Sequence, residues 1–297
     1  MRKLLLLLLL ATSALASPRA SLLVDADWLK AHLNDPNLVL LHVGDKDAYA
    51  KEHIPGARLV AQADVSVSDH TDKGLMLELP PADDLRTRLE KLGISDDSRV
   101  VVYYGKDWVS PSTRIILTLD HAGLGARTSL LDGGMPEWVR RGGTVTDAGT
   151  SARTGKLAAL KTKPVVADAA FVRTHLAKPG FKVVDGRAPV FYDGVETGGM
   201  HNKDRTGHIA GAGSVPFTSV VDDDNRLRSA AELEALFAKA GVKKGDTIIG
   251  YCHIGQQATA TLFAARTLGH KVLLYDGSFQ DWSRQADAPV DNPAASK

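Results

Sequence analysis

The chain has 297 residues, 36 Lys and Arg against 35 Asp and Glu, and a 44% hydrophobic composition. That length suits two ordinary globular domains, and the near-zero net charge offers no broad basic surface for nucleic acid or for a membrane. A single cysteine rules out an intrachain disulfide scaffold.

The first stretch joins Arg2 and Lys3 to an apolar run, Leu4 to Leu10, and to the small-residue site Ala14-Leu15-Ala16. This pattern reads as a secretory signal peptide over 1–16, cut after Ala16, and predicts a periplasmic or secreted protein with no membrane attachment once the leader is gone. An uncleaved N-terminal anchor is the alternative, although the run is shorter than the roughly 20 apolar residues of a span. Export makes an unpaired thiol costly unless it is buried or used.

After the leader, Asp27 to Leu33 has helical spacing and Leu38 to Val43 is a strand-like apolar run. A turn-rich stretch around His53-Ile54-Pro55-Gly56-Ala57 follows, then a helix over Pro80 to Leu92 and a second apolar strand, Arg99 to Tyr104. Ser112 to His121 is helical, Thr128 to Leu131 runs as a strand into an Asp132-Gly133-Gly134 turn, and Trp138 sits in a short terminal helix. Strands alternating with helices predict an α/β fold, a parallel sheet with helices on both faces.

The second half repeats this order. Phe181 to Arg187 matches the first strand, Gly207-His208-Ile209-Ala210-Gly211-Ala212 matches Glu52 to Ala57, and Thr247 to Tyr251 matches the strand ending at Tyr104. Gly125 to Asp132 and Gly269 to Asp276 both span seven residues, with Trp138 and Trp282 following at equal distances. Thr144 to Lys163 lacks an apolar period and is rich in Gly, Ser, Thr, Ala and Lys, as a linker is. The predicted organisation is a first domain over 21–145, a linker over 146–164 and a second domain over 165–297.

Duplication supplies an internal control: features in both copies are read as scaffold, and features in one copy as chemistry. His53 and His208, Asp132 and Asp276, and the two tryptophans fall in the first group. Cys252 falls in the second, because the loop after Tyr104 has no cysteine; aligned by its glycines it sets Trp108 opposite Cys252, and aligned by its strand it sets Gly105 there. The cysteine lies between the strand and a helix that opens at Gln257, a junction whose unpaired N–H groups and dipole favour a thiolate or a bound anion. Six residues, Cys252-His253-Ile254-Gly255-Gln256-Gln257, form the loop, with a glycine where a positive φ or a close approach is needed. A buried structural cysteine is the competing reading.

These residues together resemble the tandem-domain rhodaneses, the thiosulfate and 3-mercaptopyruvate sulfurtransferases. The likeness rests on Asp185-Gly186-Arg187, the Gly207 to Ala212 stretch, the Cys252 loop, and the Asp-Gly turn followed by Trp in each half, and it spans the chain after the leader. It implies two rhodanese-like domains, the first non-catalytic and the second catalytic. Cys252 would take sulfane sulfur from a small-molecule donor as a persulfide and hand it to cyanide or a thiol, with no metal and no cofactor. Loop amides from His253, Ile254, Gly255, Gln256 and Gln257 would hold the persulfide and the donor. Arg187 would hold an anionic donor, or else pair with Asp185. The family often places a second arginine near Phe191-Tyr192, where this chain has none, and the residues after Cys252 match neither the cationic loop of thiosulfate-using members nor the Gly-Ser-Gly-Val-Thr loop of mercaptopyruvate-using ones. Thiosulfate is the favoured donor. His253 is either a group titrating near pH 6.5 or solvent-facing, and the side chains of Gln256 and Gln257 either donate to the ligand or begin the helix.

Two other functions compete. A cysteine phosphatase needs an arginine six positions after the cysteine, where this chain has Ala258. A non-turnover persulfide carrier or thiol redox sensor needs the same activated Cys252.

Overall fold

The computed structural model describes residues 17–71, 74–106, 108–150, 153–197 and 205–296. The signal-peptide reading therefore falls outside the described residues. Among these, no helix is long and apolar enough to cross a membrane.

The strands are β1 (Leu23–Val24), β2 (Leu38–Val43), β3 (Arg58–Leu59), β4 (Arg99–Tyr104), β5 (Thr128–Leu131), β6 (Val166–Ala167), β7 (Phe181–Asp185), β8 (His208–Ile209), β9 (Gly213–Ser214), β10 (Thr247–Tyr251), β11 (Lys271–Tyr275) and β12 (Val290–Asp291). They form two five-stranded sheets in the same order, β1-β5-β4-β2-β3 and β6-β11-β10-β7-β9, while β8 and β12 make a small antiparallel pair. Every pairing in the two large sheets is parallel. The expected α/β fold, two tandem domains each built on a helix-flanked parallel sheet, is the one found. The central strands β4 and β10 are continuous apolar runs because helices cover both of their faces.

Strand alternation assigns each residue to a layer. Val100, Val102 and Tyr104 of β4, together with Ile248 of β10 and Cys252 just beyond it, face a core that both domains share. Val101 and Tyr103 face outward into a separate cluster with Trp138, and Ile249 and Tyr251 into another with Trp282. The period of two thus turns Cys252 toward the domain interface.

Two helices fill that interface, Val109–His121 from the first domain and Ala258–Thr267 from the second. Both are buried on nearly every side, and the second is rich in Ala and Thr, which lets it lie close. A Cβ added to Gly250 would meet Leu262 at 2.7 Å, so the glycine in β10 permits the helix to approach. Thr113 and Thr259 share a hydrogen bond of 2.8 Å at the crossing, and Arg266 pairs with Asp120 at 3.4 Å.

The stretch between the domains has no helix or strand among its described residues. Nor does it hang free: Thr146 exchanges backbone hydrogen bonds with His53, the Gly155 amide donates to the Glu90 carbonyl, and Leu157 is buried. Its composition signals the lack of regular structure, but the long-range bonds tie it along the first domain.

Candidate active site

Cys252 follows the central strand at its C-terminal end, the edge of a parallel sheet where loops converge. The residue is 0% exposed. Its amide donates to Ser278 Oγ at 3.3 Å, and that hydroxyl donates onward to the Tyr275 carbonyl at 2.9 Å. Ser278 adopts φ 53, a left-handed conformation that costs a non-glycine residue about 1 kcal/mol or more.

Beyond Cys252 the loop turns its carbonyls into the protein. Cys252 O accepts from the Phe279 amide at 3.0 Å and His253 O from the Gln280 amide at 3.1 Å. Gly255 O accepts from Arg114 Nη1 at 3.0 Å, and Gln256 O accepts from the Thr259 amide at 3.0 Å and from its hydroxyl at 2.6 Å. In a trans peptide the next N–H points opposite to the carbonyl, and no cis bond occurs among the described residues. Amides of His253, Ile254, Gln256 and Gln257 are therefore aimed away from these anchors. Among the described residues, none of the five amides from His253 to Gln257 has a hydrogen-bond partner. Such a run of free donors at a helix start has the chemistry to receive an anion.

The glycine at the centre is required by its surroundings. Gly255 has φ +82, and a Cβ there would meet the Asp276 carbonyl at 2.9 Å and its Oδ1 at 3.0 Å.

Arg187 is fully buried, and it adopts the ion-pair alternative of the sequence reading. Its Nε lies 3.0 Å from Asp185 Oδ1, and its Nη2 lies 2.6 Å from Oδ2 and 2.7 Å from the Gly207 carbonyl. The guanidinium also stacks over Phe279 at 4.1 Å. Burial opposes its charge, but Asp185 outweighs burial and holds its pKa above the ordinary value. Only Nη1 takes no part in this network among the described residues, so free clamping of a donor by the whole guanidinium does not fit the geometry.

His253 differs from the titrating reading. Burial, helped by the charge of Arg187, lowers its pKa to about 4, so the imidazole is neutral at pH 7. It packs edge-on against Phe191 at 4.7 Å. Ile254 and Gln256 are half-buried, and Gln257 Oε1 is buried without a partner among the described residues.

Sheet register also settles which residue of the first domain matches Cys252. His42 pairs with Tyr103 as Asp185 pairs with Tyr251, and each tyrosine hydroxyl accepts from an equivalent amide, Ile54 or Ile209. Tyr104 therefore stands opposite Cys252, in place of Trp108 or Gly105, and Gly44 stands opposite Arg187. Long-range pairing fixes the register, which loops of unequal length had hidden. Residues missed by sequence reasoning are Ser278 and Arg114; Asp276, read as scaffold, accepts from Arg114 at 2.6 Å. Ser278 had a signal, since the first copy has Gly134 there, whereas nothing local marks Arg114.

The family model described as the rhodanese-like domain matches residues 25–141 and again 168–285. The chain belongs to the rhodanese family. This rhodanese is 30% identical over 280 residues to the 3-mercaptopyruvate sulfurtransferase of Escherichia coli K12, covering 90% of this chain and 97% of that one. It is likewise 30% identical over 285 residues to the sulfur carrier protein TtuD of Thermus thermophilus, covering 90% and 95%, and 31% identical over 284 residues to a Haloferax volcanii protein provisionally named a thiosulfate sulfurtransferase, covering 91% and 96%. The solved E. coli 3-mercaptopyruvate sulfurtransferase SseA superposes with a TM-score of 0.75 at 27% identity over 87% of this chain and 98% of that one. Sulfur transfer is the chemistry common to these relatives' names.

Proposed function

We propose that this rhodanese is a sulfurtransferase in which Cys252 carries the sulfur. The observation that supports this most is that the amides from His253 to Gln257, beside the only thiol of the chain, have no hydrogen-bond partner among the described residues. A thiolate attacks the outer sulfur of thiosulfate; a sulfur–sulfur bond forms to Cys252 while the donor's own sulfur–sulfur bond breaks, and sulfite leaves with the electron pair. Cyanide or a thiol then attacks the outer persulfide sulfur, and Cys252 regains the pair as thiolate. The loop amides stabilise the anionic sulfur at each stage, as an oxyanion hole does.

Thiosulfate is the proposed donor and 3-mercaptopyruvate the related one, because the geometry offers amide donors and one charge-compensated arginine rather than a free pair of cations for a carboxylate. Full burial of Cys252 favours small donors and acceptors over a bulky protein thiol. The carrier alternative draws on the likeness to TtuD. The leader pattern over 1–16 supports an exported compartment for the reaction.

Purified protein given thiosulfate and cyanide is expected to form thiocyanate, and Cys252→Ser to abolish it. Undiminished turnover in that variant would sink the mechanism. A stable adduct of one sulfur on Cys252 by mass spectrometry, with no turnover on thiosulfate or 3-mercaptopyruvate, would select the carrier instead.

A further inference from the structure

Arg114 comes from the domain that lacks the cysteine, yet it ends against the cysteine loop. It is 0% exposed. Nη1 donates to the Gly255 carbonyl at 3.0 Å and to Asp276 Oδ1 at 2.6 Å, and Nη2 donates to the Leu77 carbonyl. One guanidinium thus joins three segments: a first-domain turn at Leu77, the middle of the cysteine loop, and the turn that carries Ser278. Burying a charge this completely is costly, and the cost is met only where the hydrogen-bond geometry is good.

We infer that Arg114 is a positioning residue for Cys252 chemistry, an inference that rests on the sulfur-transfer reading of the site. Of the four carbonyl anchors in the loop, three are made by the second domain's own backbone or by Thr259, and the one at Gly255 is made by Arg114. Turning that peptide over rotates ψ of Gly255 and φ of Gln256, and at its Gly255 end no Cβ opposes the change. Turning it over would carry the Gln256 N–H out of the run of donors and bring the Gly255 carbonyl in, replacing a donor with a negative dipole. Arg114 prevents this by holding the carbonyl outward. Through Asp276 it also steadies the turn whose Ser278 hydroxyl accepts from the Cys252 amide. The domain without the nucleophile therefore supplies part of the geometry of these donors.

The test uses the full chain, with Arg114→Met, Arg114→Lys and the control Arg266→Met. The control removes an interdomain ion pair at the far end of the helix that follows the loop. Rapid mixing with thiosulfate reads the rate of persulfide formation, and alkylation of Cys252 by iodoacetamide across pH reads how well the loop holds an anionic sulfur. Arg114→Met is expected to slow persulfide formation on the order of a hundredfold, as loss of one oriented donor does, and to move the alkylation profile to higher pH. Arg114→Lys, which keeps a donor for the Gly255 carbonyl but loses the fork, is expected to recover part of both. Arg266→Met should lower the unfolding temperature without moving the profile.

An unchanged loading rate and alkylation profile in a folded Arg114→Met variant would overturn the inference, as would a folded Arg114→Lys variant that recovers neither, or an equal shift in Arg266→Met. Because alkylation needs no sulfur donor, a shifted profile in a protein that fails to turn over thiosulfate would sustain the positioning role while the donor assignment falls.

Discussion

At matched points in the two sheets, β4 ends on Tyr104 and β10 hands over to Cys252, while His42 and Asp185 pair with equivalent tyrosines. The hydroxyl of Tyr104 donates to the Asn225 carbonyl of the other domain at 2.8 Å, so the first copy spends this position on docking. Gly44 stands where the second copy has Arg187, and Gly134, with φ 54, stands where it has Ser278, with φ 53. The scaffold pairs are kept: His53 stacks on Tyr49 at 4.0 Å and His208 on Tyr192 at 3.7 Å. The same strand framework thus docks against the other domain in one copy and carries the cysteine loop in the other, with the difference lying in the side chains and loop lengths at the C-terminal ends of the strands.

The largest effect expected from erasing this difference comes from Asp185→Asn. It leaves the buried Arg187 charge without its partner and should cost about 3–5 kcal/mol of stability, measured by chemical denaturation. An effect under about 1 kcal/mol would show that the pair is not a structural requirement of the second copy.

Acidification comes next and probes both copies. Burial lowers the pKa of His42 in the first domain and of His253 in the second to about 4. Each takes up its proton more readily when unfolded, near pH 6.5. The unfolded state therefore binds more protons between these values, and stability falls as pH drops from about 6.5 toward 4. Going from pH 7 to pH 5.5 should cost about 1 kcal/mol per histidine. The slope should lessen by one histidine's share in His253→Gln, and an unchanged slope would remove His253 from the account.

The smallest stability effect belongs to Ser278→Gly, which gives the second copy the turn of the first. Relief of the left-handed strain and loss of the hydrogen bond to the Cys252 amide are each about 1 kcal/mol and oppose one another. Unfolding should move little while thiocyanate formation slows. Equal loss of stability and activity would show that the hydroxyl serves the fold alone.

Local signals carried much of the architecture. The apolar runs Arg99 to Tyr104 and Thr247 to Tyr251 have the strand boundaries found, because buried parallel strands cannot afford polar interruption. Gly255 was legible as a special position, and its φ of +82 agrees. By contrast, the alignment of Tyr104 with Cys252 was hidden by unequal loop lengths, and the state of His253 by its neighbours in space.

From the sequence alone came the duplication, the alternation that makes each copy an α/β unit, and a lone thiol between a strand and a helix, since periodicity and glycine placement act over a few residues. Tertiary structure decided that Arg187 is bound to Asp185, that Arg114 reaches the cysteine loop from the other domain, and that the carbonyls of Cys252, His253, Gly255 and Gln256 are anchored while the loop's amides stay free among the described residues. Those outcomes depend on which groups burial brings together, and no short stretch of chain contains them.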